Sequence, residues 1–323
     1  MKKLTLALFT IIASLFIISC GKAKTDANGC YYDFDDAVSF ANKKNQDVMV
    51  IITVEGDDED STDFMEKVVR DANFKKEVAS KYAVVCMDFS QKTFAEAKAD
   101  EAADEAAKKV AEQKNAILEK NTKYATMLDA KEVPVIYIFS KEKYLIKGFF
   151  YDDENRSIQG FEDTLAEQTS IIDDMHKMIY QTKIGNAEEK VKAIDALWEA
   201  TNPSFRIFLY DLINSVKKLD PNNTSGLLGK YMYEAASTKS DMALLEGNIE
   251  EAVQAFLDAA EESDISADDR QQAMYTAAYI CSMTGFKDDA VVIEYLEKAI
   301  QIAPESDDAP RIRRVIAAIS SKE

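Results

Sequence analysis

Four short apolar runs, all in the first half of the chain, most constrain what it can fold into. Residues 48–54 (VMVIITV) are continuously apolar and rich in β-branched side chains, the pattern of a strand buried on both faces. Residues 82–89 (YAVVCMDF) repeat it. Residues 133–139 (VPVIYIF) and 144–150 (YLIKGFF) read as an antiparallel pair across a turn at 140–143. Helical stretches separate the runs. Residues 35–44 place Ala37, Phe40 and Ala41 on one face, residues 61–81 are helical with a break near 71–74, and residues 163–181 form a closing helix. From Asn186 the pattern is helical throughout. An α/β domain over 32–183 and an all-α domain over 184–323 are expected, consistent with a prior of ~150 residues per domain.

The first residues describe an export signal. Lys2 and Lys3 precede an unbroken apolar and hydroxyl run, 4–18, and Ile17-Ile18-Ser19-Cys20 follows. The run is shorter than the ~20 residues a spanning helix needs. The cysteine at the cleavage point resembles the lipobox of bacterial lipoprotein precursors. That resemblance implies a signal peptide over 1–19, lipidation of Cys20, and a chain anchored by lipid in the bacterial cell envelope. It would stand on the periplasmic side of a membrane or on the outer surface. More than one acyl chain at one terminus meets the physical need for stable anchoring. Residues 20–31 read as the lipidated tether, with 21–29 flexible. Net charge is −19, and −21 once Lys2 and Lys3 leave with the signal. A chain this acidic stands off anionic lipid, and it lacks the basic patch that nucleic acid requires.

Three cysteines remain: Cys30, Cys86 and Cys281. The odd count and wide spacing argue against a cystine framework. Cys86 within Val84-Val85-Cys86-Met87, and Cys281 within Ala278-Tyr279-Ile280, read as small buried hydrophobes. Cys30 has the more exposed context, free to pair or to stay a thiol.

The order of elements resembles the thioredoxin fold. The opening helix and strand (DFDDAVSFANKKNQDVMVII), the segment FMEKVV after the loop, and Val133-Pro134-Val135 opening the third strand carry the resemblance. It implies a cis-proline at Pro134, and a proline is tolerated where a strand begins. In redox-active members Cys-x-x-Cys sits between the first buried strand and the next helix, where the helix N-terminus lowers the thiol pKa. Here that segment holds Gly56, Asp57, Asp58, Glu59, Asp60 and Ser61, and the thiol positions fall near Asp58 and Ser61. Without a thiolate there is no nucleophile for disulfide exchange. The acidic loop reads as helix capping, with Asp63 and Glu66 at capping-box spacing. The other reading is a cation or partner site, although EF-hand spacing fails.

Between the second and third strands, residues 93–129 form an Ala-, Glu- and Lys-rich helical insertion without Gly or Pro. It is either one helix of ~50 Å or two helices hinged near Asn115. Its apolar face is mostly alanine (Ala99, Ala102, Ala103, Ala106, with Val110), so it either packs thinly on the domain or projects as an arm.

The last third resembles tetratricopeptide repeats. Gly247 with Ala252, Phe256 and Ala260, and Gly285 with Ala290, Tyr295 and Ala299, carry the likeness, closed by Pro304. In such repeats glycine permits the tight turn and the small and large apolar residues fill the interface with the next hairpin. The glycines are 38 apart rather than roughly 34, and Lys239 stands where a leucine is usual. The family implies a concave surface for peptides or proteins.

The one histidine, His176, reads as a surface or interface residue. It rules out a histidine-rich zinc site, and no glycine-rich phosphate loop occurs. No metal or cofactor site is expected. The sequence therefore predicts a lipid-anchored envelope protein acting as a non-catalytic adaptor, with a membrane anchor at Cys20 and a protein or peptide partner. Two alternatives stay open: an atypical single-thiol redox protein using Cys30 or Cys86, and a structural or surface-exposed lipoprotein.

Overall fold

The computed structural model describes residues 25–98 and 104–321. The signal peptide, Cys20, and Ala99, Ala102 and Ala103 of the helical insertion lie outside the described residues. Helix α1 (Phe34–Lys44) is capped by Asp33, whose carboxylate accepts from Asp35 N and Asp36 N. Strand β1 (Asp47–Thr53) follows. Helix α2 (Glu59–Phe64) passes directly into a π-helical turn, Met65–Val69. Then come α3 (Phe74–Glu77), β2 (Tyr82–Asp88), α4 (Gln91–Glu96) and α5 (Glu105–Met127). Strands β3 (Val135–Phe139) and β4 (Leu145–Phe150) lead to α6 (Ile158–Gln181).

The four strands form one mixed sheet in the order β2-β1-β3-β4. β1 runs parallel to β2, with Val50 opposite Val85, and antiparallel to β3, with Val50 opposite Tyr137. β3 and β4 form an antiparallel hairpin with an irregularity between Ile138 and Phe139. One parallel crossover followed by a hairpin on the other side of β1 is the thioredoxin-like arrangement.

Both faces are covered, which is why β1 is apolar at successive positions. On one face Met49, Ile51, Val84, Ile136 and Ile138 meet Phe64 and Val68 from the first crossover and Phe161 from α6. On the other, Val48, Val50, Val85 and Phe139 meet Phe34 and Ala41 of α1 and Leu128 beyond α5.

The insertion is not hinged at Asn115. Asn115 lies inside α5, and Asp104 caps that helix by accepting from Ala107 N. Its C-terminal half packs on the domain. Asn121 donates to Tyr32 O at 2.8 Å, and Tyr124 joins the sheet's core. A second departure is the tether. Residues 25–31 form a closed turn against β2, with Tyr31 N donating to Val84 O at 2.7 Å.

Beyond α6 the chain is all-helical: α7 (Ala187–Ala200), a 3₁₀ segment (Pro203–Leu209), α8 (Tyr210–Asn214), α9 (Val216–Leu219), α10 (Leu228–Leu245), α11 (Ile249–Glu261), α12 (Ala267–Thr284), α13 (Asp289–Ile302) and α14 (Ala309–Ser320). From α10 onward each helix packs on the next. Gly247 and Gly285 sit in the left-handed region, φ +74° and +67°, at the tight turns after α10 and α12. Ala252, Phe256 and Ala260 are buried. Ala290 is a correction. It is exposed, and Val292, Leu296 and Ala299 form the buried stripe of α13 instead. Helix α13 begins four residues after Gly285, where α11 begins two after Gly247, so Ala290 falls in the first turn of its helix and off the buried stripe.

Candidate functional site

Three features converge where β1 ends. The register places Ile52 opposite Val135, so the loop leaving β1 and the cis Val133–Pro134 peptide lie at the same end of the sheet. Helix α2 begins beside them. The loop turns at Gly56, φ +88°, which a side chain would strain. Asp57 N and Asp58 N donate to Val54 O.

Asp58 is the N-cap of α2. Its Oδ2 accepts from Ser61 N at 2.7 Å, and its carbonyl accepts from Thr62 Oγ1 at 2.7 Å. Ser61 is fully buried and its Oγ accepts from Val54 N at 3.3 Å. The two positions where a dithiol would stand are thus occupied by a capping carboxylate and a buried hydroxyl. The favourable field of the helix start is already matched by Asp58.

The capping residues differ from expectation. Asp63 does not cap; its carboxylate accepts from Tyr151 Oη at 2.7 Å and pairs with Lys67 at 2.6 Å. Those bonds hold its pKa below the usual carboxylate range, Lys67 first and Tyr151 second, against opposing desolvation. Tyr151 also links the loop to the proline strand, since its N–H donates to Pro134 O at 3.3 Å. Burial first, then Asp63, pushes its phenol well above the ordinary range.

The remaining acids are largely engaged. Asp57 accepts from Gln91 N at 2.6 Å, Asp60 pairs with Arg156 at 3.2 Å, and Glu55 pairs with Arg70 at 2.5 Å. Asp88, at the end of β2, accepts from Glu55 N at 2.9 Å and Ser90 Oγ at 2.6 Å, as well as from Thr93 Oγ1. A shallow hollow of about 420 Å³ remains, lined by Gly56, Asp58, Glu59, Asp63 and Glu66 among others. Among the described residues no three His, Cys, Asp or Glu groups converge in a geometry for a metal ion.

His176 lies at the other end of the sheet. Its Nε2 is 2.9 Å from Oδ2 of Asp47, the first residue of β1. That bond raises the imidazole pKa against the desolvation that lowers it. The pair borders a second hollow of about 470 Å³, rimmed by Lys81, Lys141 and Lys183. No histidine is therefore near Ser61.

Cys30 is a correction: it is 1% exposed, in the core with Met49 and Phe74. Cys86 is half-buried beside the same cluster, and Cys281 is fully buried. Sequence reasoning missed Tyr151 and Asp88, which tie the loop to two strands. Nothing in their local sequence marks them, because their partners are distant along the chain.

A family model described as an uncharacterised protein C-terminal domain matches residues 227–323. An uncharacterized protein of Treponema pallidum (strain Nichols) is 29% identical over 131 residues, 40% of this chain and 43% of the relative. The match thus spans less than half the length of that relative. A solved structure described as DsbH oxidoreductase aligns with 40% of this chain and 81% of its own, at 10% identity and a TM-score of 0.28. The thioredoxin-like reading rests on strand order and on the loop and proline geometry, not on that overlay.

Proposed function

We propose that this chain is a lipid-anchored protein of the bacterial cell envelope that binds a protein or peptide without catalysing dithiol exchange. The observation that carries the reading is the loop after β1. Asp58 caps α2 and Ser61 is buried in its first turn, so the end of the sheet that would hold a thiolate holds a closed hydrogen-bonded network. The thioredoxin-like domain then serves as scaffold, and the hollow lined by Asp58, Glu59, Asp63 and Glu66 is a surface for contact. The helices from α10 to α14 act as tetratricopeptide-like hairpins and supply the larger contact face. Cys20 holds the assembly at the membrane.

Chemical crosslinking in intact cells tests this, with captured complexes resolved with and without reductant. A specific partner retained under reduction supports the binding role, and the crosslinked residues identify which domain holds it. A partner released by reductant would transfer the role to a thiol. Purified protein should leave insulin disulfides intact in the presence of dithiol reductant, beyond the reductant-only rate. The Cys20→Ala precursor should lose acylation and membrane fractionation.

A further inference from the structure

The closed turn at 25–31 brings together two thiols that the sequence holds far apart. Tyr31 pairs in parallel with Val85: Tyr31 N donates to Val84 O at 2.7 Å, and Cys86 N donates to Tyr31 O at 3.1 Å. Side chains alternate along strands. Tyr31 and Val85 join the core on one face of the sheet, while Cys30 and Cys86 fall on the other, against the cluster of Met49, Val84 and Phe74. There both side chains pack against the same cluster. The neighbouring Cys86 first, and burial second, push the Cys30 thiol well above its ordinary range, with smaller contributions from the charges of Cys86 and Asp26.

The turn is built to hold Cys30 in this place. Asp26 Oδ1 accepts from Cys30 N at 2.8 Å and from Asn28 N at 2.9 Å, and Asp26 N donates to Cys30 O at 2.9 Å. Gly29 supplies the left-handed residue, φ +90°, and a Cβ there would come within 3.3 Å of Ala79 Cβ. Both cysteines are free thiols.

We propose that Cys30 and Cys86 are a reversible dithiol–disulfide pair that locks the N-terminal turn onto the edge strand. The oxidant is a disulfide of low molecular mass. Cys86, the more exposed of the two, loses its proton and attacks one sulfur of the reagent, forming a mixed disulfide and releasing one thiolate. Cys30 then loses its proton and attacks Sγ of Cys86, forming the Cys30–Cys86 bond and releasing the second thiolate. The pair gives up two electrons and two protons, and the reagent's disulfide is reduced to two thiols. The bridge would fix the point at which the chain leaves the folded domain toward Cys20. It is independent of the binding role proposed above and lies on the edge strand rather than at the start of α2.

The test is a disulfide map of the full chain after incubation with oxidised glutathione, alkylation and digestion without reductant. A Cys30–Cys86 linked peptide is expected, with Cys281 still alkylated after unfolding and the link reversed by dithiothreitol. Recovery of Cys86 only as its glutathione adduct with Cys30 free, or of both thiols free, overturns the proposal. Cys30→Ser should stop the reaction at the Cys86 adduct, and Cys281→Ala should leave the linked peptide unchanged. The wild-type map decides the matter even if Cys30→Ser fails to fold.

Discussion

Gln271 shows how one buried polar side chain can organise its surroundings. It is 2% exposed, and its Nε2 donates to the carbonyls of Ala299 at 2.9 Å and Ala303 at 2.8 Å, while its Oε1 accepts from Ser306 Oγ. It thereby satisfies carbonyls left open at the end of α13. Gln271→Leu keeps the approximate volume and strands these acceptors. A loss of about 1–3 kcal/mol is expected in urea unfolding. His176 makes a comparable long-range link, to Asp47, but in a more exposed place. Its folded pKa is raised, chiefly by Asp47, so its contribution is complete below the unfolded value of about 6.5 and fades as pH rises through the folded value. The melting-temperature advantage of wild type over His176→Gln should therefore be larger at pH 5.5 than at pH 8.5. A constant difference would mean that the ring contributes by packing alone.

At the scale of elements, close approach explains two glycines that no turn requires. A Cβ on Gly160, in the first turn of α6, would lie 2.2 Å from Glu154 O. One on Gly229, in α10, would lie 2.6 Å from Asp264 O in the connection before α12. Both obstacles are backbone atoms, so relief means moving an element. Gly160→Ala should destabilise the sheet domain, and Gly229→Ala the helical region, each by roughly 1–3 kcal/mol, as measured by thermal melting followed by circular dichroism. The helical elements themselves were legible. Asp35-Asp36 in the first turn of α1 and the apolar stripe of α11 follow from local patterning. The residues after Pro203 were not. They fall within the continuously helical pattern and are instead a 3₁₀ segment followed by two short helices.

That segment matters most for the whole molecule. Phe205 and Phe208 leave the helical region and pack on the sheet, with Phe208 edge-on to Phe139 at 5.1 Å and Phe205 edge-on to Tyr137 at 6.3 Å. Phe208 belongs to the same buried cluster as Val50 and Val135. Lys123 of α5 also pairs with Glu246 just past α10, at 3.0 Å. The two regions therefore share a core rather than a linker. Truncating both rings, Phe205→Ala with Phe208→Ala, should separate one thermal transition into two, at a cost of several kcal/mol, since burying a Phe contributes about 3–5 kcal/mol against truncation. A single unsplit transition would show that the regions are coupled elsewhere.

The sequence by itself determined the four strands, the antiparallel pairing of the last two, the missing thiols between β1 and α2, and the helical character of the chain from Asn186. Those properties are local: runs of β-branched residues, the order of elements, and residue identity at a loop. The proline opening β3 was readable for the same reason. Only the tertiary structure decided which acid caps α2, which residues brace Tyr151, and how Phe208 joins the sheet. Each depends on groups brought together from distant positions by packing. The cysteines are the sharpest case. Odd count and wide spacing argued against a cystine framework and named no mate for Cys30, but the parallel pairing of Tyr31 with Val85 places Cys30 and Cys86 on one face of the sheet. Register, which no local pattern around Cys30 encodes, made them neighbours.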